Sequence, residues 1–272
     1  MPRAHPSVPD DPPLIPAARQ ARILDHLSSR GVVAIAELAR AVGVSASTVR
    51  RDLDDLAASG QLRRTHGGAV ALGTARTTFE PAPSIAQHAH SVAKRAIGEA
   101  AAALVEAGQS VVFDSSSTVL EAARGVVARG LAITAVTNDL RIAAVLAEAP
   151  RIRVIVPGGT LRPGSHTLIG EPGASFARGL AADLAFLGAH AIAEGTISET
   201  SIEVAGIKQA MAAGARRLAV LADASKFGAV AFCKVLALSA GDLVITDDGI
   251  DHAARTSLSA RGVVLQTVAV AA

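Results

Sequence analysis

Apolar residues recur at helical spacing in the first quarter of the chain and in short β-branched runs after it. Over residues 17–29, Ile23, Leu24 and Leu27 share one helical face, and Gly31 follows as a stop. Residues 35–42 predict a second helix with Leu38 inward, ended by Gly43. Ser45 is a good N-cap, and Val49, Leu53 and Leu56 then fall at i, i+4 and i+7, the buried stripe of a third helix closed by Gly60. Residues 61–70 predict a short strand, a Gly67–Gly68 turn and a return strand. A helix, a tight glycine turn, a second helix and a hairpin predict a winged helix-turn-helix domain.

From Ala93 onward the pattern changes. Short apolar runs at 110–113, 132–137, 152–156, 184–187, 218–221 and 243–246 alternate with Ala-rich helical stretches at 94–107, 118–128, 139–147 and 203–213. That alternation predicts an α/β domain with a mostly parallel sheet, whose ligand site lies at the carboxyl ends of the strands. The expected organisation is a Pro-rich, disordered leader at 1–16, the winged helix at 17–71, a Thr- and Pro-rich linker at 72–92, and the α/β domain at 93–272.

Composition narrows the classes. Half of the 272 residues are apolar, and there are six Phe and no Trp or Tyr, which disfavours recognition by stacking on aromatic rings. The single cysteine, Cys233, excludes a disulfide framework and a Cys-rich zinc module. No apolar run reaches the roughly 18 residues of a membrane span, and the leader has no secretory pattern, so a cytoplasmic protein is expected. No metal-ligand spacing or cofactor motif is present, and none is expected.

The net charge of +2 hides an asymmetry. Residues 1–76 carry ten arginines against seven carboxylates, a net of +3, and the remainder carries −1. With the apolar stripe of the third helix turned inward, Ser47, Arg50 and Arg51 face outward, with Thr48 on the flank. Together with Ser45 they set hydroxyls and guanidiniums at a helix N-terminus, suited to phosphates and guanine edges of DNA. Arg63, Arg64 and His66 on the hairpin would reach the adjacent backbone. The competing reading pairs Arg50 with Asp54 and Arg51 with Asp55 as ordinary i, i+4 surface bridges.

In the second domain the polar residues collect after strands. Asp114, Ser115, Ser116, Ser117 and Thr118 lie between a strand and a helix, where free N–H groups favour a phosphate. Thr137 and Asn138 end the next strand, Gly158 and Gly159 the one after, and Lys226 lies in another strand-end loop. Singly these are caps, turns and a surface lysine; four such loops in one domain predict a pocket.

Two segments, S-T-V-R-R-D-L (Ser47 to Leu53) and L-R-R-T-H-G-G-A-V (Leu62 to Val70), resemble the DNA-binding domain of DeoR-type transcriptional repressors. D-S-S-S-T, V-T-N, G-G-T-L-R, F-L-G-A, E-V-A-G-I-K-Q-A-M, A-D-A-S-K-F-G and V-I-T-D-D, within 94–248, resemble the effector domain of the same family. The resemblance implies a fold similar to ribose-5-phosphate isomerase, a phosphorylated sugar as effector, and operator DNA as partner. It adds Glu203 and Lys208 to the effector residues and places Ser115 to Thr118 and Lys226 around the phosphate. A homo-oligomer is expected, since a monomer presents one recognition helix. The chain departs from the family pattern at Ser116, which stands in a glycine place, at Ala86 in an arginine place, and at Ala191 in a glycine place.

The chain is expected to be a repressor of a carbohydrate-utilisation operon and not an enzyme. The alternative is a sugar-phosphate isomerase-like enzyme with an appended winged helix, with Asp114 and Lys226 as acid and base.

Overall fold

The computed structural model describes residues 14–71, 77–78, 80 and 83–270. Most of the expected leader (residues 1–13) and part of the expected linker (residues 72–76, 79 and 81–82) lie outside the described residues. The chain divides into two compact units, which we call the head and the body: the head comprises 1–73 and 84–89, the body 74–83 and 90–272.

In the head, α1 (Pro16–Arg30) is followed by β1 (Val32–Ala34), α2 (Ile35–Val42), α3 (Ala46–Ala58), β2 (Leu62–Arg64) and β3 (Gly68–Ala71), and α4 (Pro83–His88) joins it later in the chain. The α2–α3 turn is made by Gly43 in the left-handed region, with φ 68° and ψ 31°, and Ser45 then caps α3 by accepting from the Thr48 N–H at 3.2 Å. The core draws on every helix: Ile23 and Leu27 of α1, Leu38 of α2, Val49, Leu53 and Leu56 of α3, and Ile85 of α4. Three antiparallel strands run in the order β1–β3–β2. The expected two-stranded wing therefore has a third strand, Val32–Ala34, too short to show an alternating pattern of its own.

The body runs α5 (Ser91–Ala103), β4 (Ser110–Phe113), α6 (Ser117–Ala128), β5 (Ile133–Thr137), α7 (Leu140–Ala147), β6 (Ile152–Ile155), β7 (Thr160–Leu161), β8 (Leu168–Ile169), α8 (Gly173–Arg178), β9 (Leu184–Gly188), β10 (Ala191–Ala193), β11 (Thr196–Glu199), α9 (Ile202–Ala213), β12 (Leu218–Leu221), a 3₁₀ turn (Ala224–Lys226), β13 (Cys233–Ala237), β14 (Leu243–Asp247), α10 (His252–Ala260) and β15 (Val264–Val268). Seven strands form one parallel sheet in the order β15–β14–β12–β9–β4–β5–β6. All six strands expected from the apolar runs belong to it. The seventh, β15, is an edge strand whose half-exposed V-L-Q-T-V reads weakly.

Alternation along β4 shows how the sheet is covered. Val111 and Phe113 point into one cluster with Ile97 of α5 and Leu120 of α6, while Val112 points the opposite way, toward Ile207 and Met211 of α9. Phe113 and Phe186, on neighbouring strands, meet edge to face with ring centroids 5.5 Å apart. A second, antiparallel sheet, β10–β11–β13, packs Ile192, Ile197 and Val235 over Val220 and Val244. The sequence pattern did not reveal this sheet, because its strands are only three to five residues long.

The order of the large sheet reverses between β4 and β9. From β4 the chain builds outward through β5 and β6; from β9 it builds the other way through β12, β14 and β15. The carboxyl ends of β4 and β9 thus flank the switch point, the place where open parallel sheets bind ligands.

Close packing of α5 on α6 depends on Gly98. A Cβ there would lie 2.5 Å from the Glu121 Cβ and 2.7 Å from the Ala122 backbone N. Gly98→Ala gains about 1 kcal/mol of helix propensity but must push backbone aside, so we expect a net loss of about 1–3 kcal/mol. Urea denaturation followed by circular dichroism checks the sign.

Candidate functional site

The head presents one face built on α3. Ser45 Oγ lies 2.8 Å from Ser47 Oγ and 2.9 Å from Thr48 Oγ1, so three hydroxyls are gathered at the helix N-terminus. Arg50 and Arg51 are exposed and form no ion pair among the described residues, whereas Arg64 pairs with Asp54 and its Nη1 also reaches the Arg50 carbonyl at 3.5 Å. The wing strand therefore takes up the acid that would otherwise face Arg50, against the i, i+4 reading. Arg63 and His66 are exposed on the hairpin. Asp52, which the sequence reading did not single out, is 3% exposed and bound by Arg19 of α1 through Nε at 2.5 Å and Nη2 at 2.9 Å. This pair fixes α3 against α1 from behind, a contact that its 33-residue separation hides from local pattern.

In the body, Asp114 ends β4 at the switch point and is 1% exposed. Its Oδ2 accepts from the Gly188 N–H at 3.0 Å, at the end of β9, and from Lys208 Nζ. Lys208, from α9, also donates to the Gly188 carbonyl at 2.9 Å and lies 3.3 Å from Glu199 Oε1. Burial pulls the ammonium down, but Asp114 and Glu199 outweigh it and hold Lys208 above its ordinary value, so it stays charged.

Ser115, the next residue, is half-buried and turns the other way. Its N–H donates to Asn138 Oδ1 at 3.0 Å, and its hydroxyl donates to Asp139 Oδ2 at 2.8 Å and sits 2.6 Å from Thr167 Oγ1. Ser116 caps α6 by accepting from the Thr118 N–H at 3.2 Å. Ser117 begins that helix half-buried, and Thr118 is buried in its first turn. Thr137 and Asn138 are fully buried; Asn138 Nδ2 donates to the Leu168 carbonyl at 3.1 Å, so its amide braces the loop. Gly158 and Gly159 approach chain rather than open space: a Cβ on Gly159 would lie 2.7 Å from the Ile169 carbonyl oxygen. Glu203 is exposed on α9 and accepts from Ser201 Oγ at 2.5 Å.

Lys226 is half-buried in the turn after β12, and a Phe227–Ile192 bridge sets that turn beside β10. His190, just after β9, feels the charge of both Lys226 and Lys208. Burial first, and those two ammoniums next, push its imidazole down to about 4, so it is neutral at pH 7. Asp223, at the end of β12, is 1% exposed; burial raises its carboxyl, but Lys226, His90 and Lys94 hold it below the usual range. Its Oδ2 has no hydrogen-bond partner among the described residues.

The structure thus brings Asp114, Lys208 and Ser115–Thr118 to the switch point, with Thr137 and Asn138 beside them. It adds Asp223, which stands in the A-D-A-S-K-F-G segment but was not singled out there, and His190 and Glu199, which no short motif marks because each gains its setting from distant chain. Among the described residues no group of three or more His, Cys, Asp or Glu could hold a metal ion, and no helix is long and apolar enough to cross a membrane.

A family model described as the DeoR C-terminal sensor domain matches residues 89–248, and one described as the DeoR-like helix-turn-helix domain matches residues 19–75. The chain is 34% identical over 245 residues, 90% of this chain and 95% of the relative, to the HTH-type transcriptional regulator YgbI of Escherichia coli (strain K12), itself named as uncharacterized. It is 29% identical over 226 residues, 83% of this chain and 88% of the relative, to the glycerol-3-phosphate regulon repressor of the same strain. Among solved structures it is similar to ribose 5-phosphate isomerase A from Neisseria gonorrhoeae, at 16% identity and a TM-score of 0.39 over 53% of this chain and 55% of that one, a slight likeness on which nothing rests.

The strand-end cluster makes the protein acid-sensitive. His190 titrates at about 4 in the fold and near 6.5 unfolded, so between those values the unfolded chain binds the extra proton and stability falls as pH falls. That loss is at most about 3 kcal/mol. Asp139 and Asp223, held low in the fold, add their own loss as pH falls further through the carboxylate range. Denaturant midpoints at pH 7 and pH 5 should therefore separate for the wild type and draw together in His190→Gln.

Proposed function

The chain belongs to the DeoR family of helix-turn-helix transcriptional regulators, and from that premise we propose that it represses a carbohydrate-utilisation operon under the control of a phosphorylated sugar bound at the strand ends of the body. The observation that carries this reading is the switch point between β4 and β9, where Ser115 and the first turn of α6 follow the buried Asp114–Lys208 pair, with the half-buried Lys226 in the turn after β12, where its charge reaches His190 next to β9.

The chemistry suits a phosphorylated polyol. The first N–H groups of α6 have no partner within the helix, and Ser116 takes up only that of Thr118. The ammonium of Lys226 supplies a positive charge for a phosphate, and Oδ2 of Asp223, which has no hydrogen-bond partner among the described residues, supplies an acceptor for a sugar hydroxyl. The relative named for a glycerol-3-phosphate regulon supports a small phosphorylated ligand. Asp114 and Lys208 neutralise one another in the interior, which suits a support for the site better than a catalytic acid and base.

In the head, Arg50 and Arg51 would read or grip operator DNA, with Ser45, Ser47 and Thr48 on the phosphates and Arg63 and His66 on the adjacent backbone; Arg64, tied to Asp54, would position the wing. The protein would act in the cytoplasm as a homo-oligomer, so that two recognition helices engage repeated half-sites.

Two measurements test this. Arg51→Ala should weaken binding to the DNA upstream of the protein's own gene by about 1–3 kcal/mol at fixed salt, with less loss on unrelated DNA; equal losses on both would remove the arginine from sequence reading. In a thermal-shift screen, at least one phosphorylated sugar should stabilise the wild type, and Lys226→Ala and Ser115→Ala should blunt that response. A screen without any stabilising sugar phosphate overturns the effector assignment.

A further inference from the structure

A carboxylate from the segment that leads to the head occupies a guanidinium of the body. Glu80 accepts from Arg162 twice, Nη1 to Oε1 at 3.1 Å and Nη2 to Oε2 at 2.7 Å, and its Oε2 also accepts from the Thr200 hydroxyl at 3.0 Å. A parallel fork of this kind is how a guanidinium holds a carboxylate or a phosphate. The fork is not sealed: the Arg162 side chain keeps 27% of its exposure and that of Glu80 keeps 35%, so an anion from solvent can reach it.

Arg162 is also built into the strand-end site. Its backbone N–H donates to the Thr167 carbonyl at 2.9 Å, and the Thr167 hydroxyl meets that of Ser115 at 2.6 Å. On the other side, Thr200 follows Glu199, the second acid on Lys208. Glu80 itself lies close enough to His190 to act on its charge. One chain of contacts therefore runs from the β4 end through Thr167 and Arg162 to Glu80, and returns through Thr200 and Glu199 to Lys208.

We propose that Arg162 is a further anion-recognising residue of this site and that Glu80 is its internal competitor, so that an anionic effector binds by displacing Glu80 from Arg162 and Thr200. This rests on the strand-end site assigned above. The displaced segment matters because Glu80 lies three positions before Pro83, where α4 begins, and Ile85 of α4 belongs to the core of the head. Thr77, whose carbonyl accepts from the Phe232 N–H at 3.0 Å, holds the same segment to the body. Losing the Glu80 fork would remove one hold of the body on the segment that leads to α4 and give the effector differential affinity for two states of the linker, which regulation requires. The coupling is reciprocal, so removing the competitor must strengthen the anion.

The test uses the full-length protein and inorganic phosphate as probe, titrated calorimetrically at constant ionic strength. Glu80→Gln keeps the shape and loses the charge, and should bind phosphate roughly fivefold or more tightly than wild type. Arg162→Ala should weaken phosphate binding and erase that gain in the double variant, with thermal melts confirming that each variant is folded. In the wild type, saturating phosphate should speed amide exchange over residues 77–83. Equal or weaker binding by Glu80→Gln, or unchanged exchange in that segment, overturns the competition. If phosphate binds and Lys226→Ala weakens it while Glu80→Gln changes nothing, the competition alone fails; if no form binds phosphate, the strand-end site fails with it.

Discussion

One buried ammonium organises the strand-end region of the body. Lys208 reaches from α9 to Asp114 at the end of β4, to the carbonyl of Gly188 at the end of β9, and to Glu199 at the end of β11. A charge this deep costs several kcal/mol unless it is matched, and each partner of the match sits on a different element. The four elements are thereby fixed together at the point where the order of the sheet reverses. Two carboxylates face this one ammonium, so withdrawing Lys208 would leave both acids buried without a countercharge, the costliest single loss in the cluster. The strand-end loop stands on this base: Asp114 turns toward Lys208, and the next residue turns toward Asn138, Asp139 and Thr167.

A comparable logic holds the head. Asp52 and Asp54 are two positions apart on α3, yet they face opposite ways and meet different arginines, Arg19 of α1 and Arg64 of β2. The first pair seats the recognition helix on the helix behind it; the second ties the wing to its flank. With two of the acids engaged, Arg50 and Arg51 carry the outward charge. The excess of arginine in the first quarter of the chain is thus sorted into arginines that build the head and arginines that face outward.

Local signals made much of this legible in the sequence. The α3 stripe of Val49, Leu53 and Leu56, the Ser45 cap and the Gly43 turn are each set within a few residues, so periodicity finds them. The central strands β4, β5, β9 and β12 read as apolar runs because both their faces are covered, by helices and, over Val220 of β12, by the short antiparallel sheet. What stayed hidden depends on distant chain. Lys208 and Asp114 are 94 positions apart, Glu80 and Arg162 are 82 apart, and no spacing rule links them. His190 and Glu199 take their setting from Lys226, Lys208 and the short antiparallel sheet, whose strands are too brief to show alternation. Gly158 and Gly159 illustrate the reverse case: the tight turn was legible, but what it packs against, Ile169, was not.

The path of α4 has a consequence for the way the two units can be separated. The chain leaves the head after β3, contributes Thr77 and Glu80 to the body, returns as α4 to place Ile85 in the core of the head, and enters the body again at His90. Each unit therefore contains a segment that is interleaved in sequence with the other. A single cut anywhere between residues 72 and 92 strips one of them of a part of itself: a head ending at 71 lacks Ile85, and a body beginning at 93 lacks Glu80. The two halves of this regulator are woven along the chain, and no single division yields both of them whole.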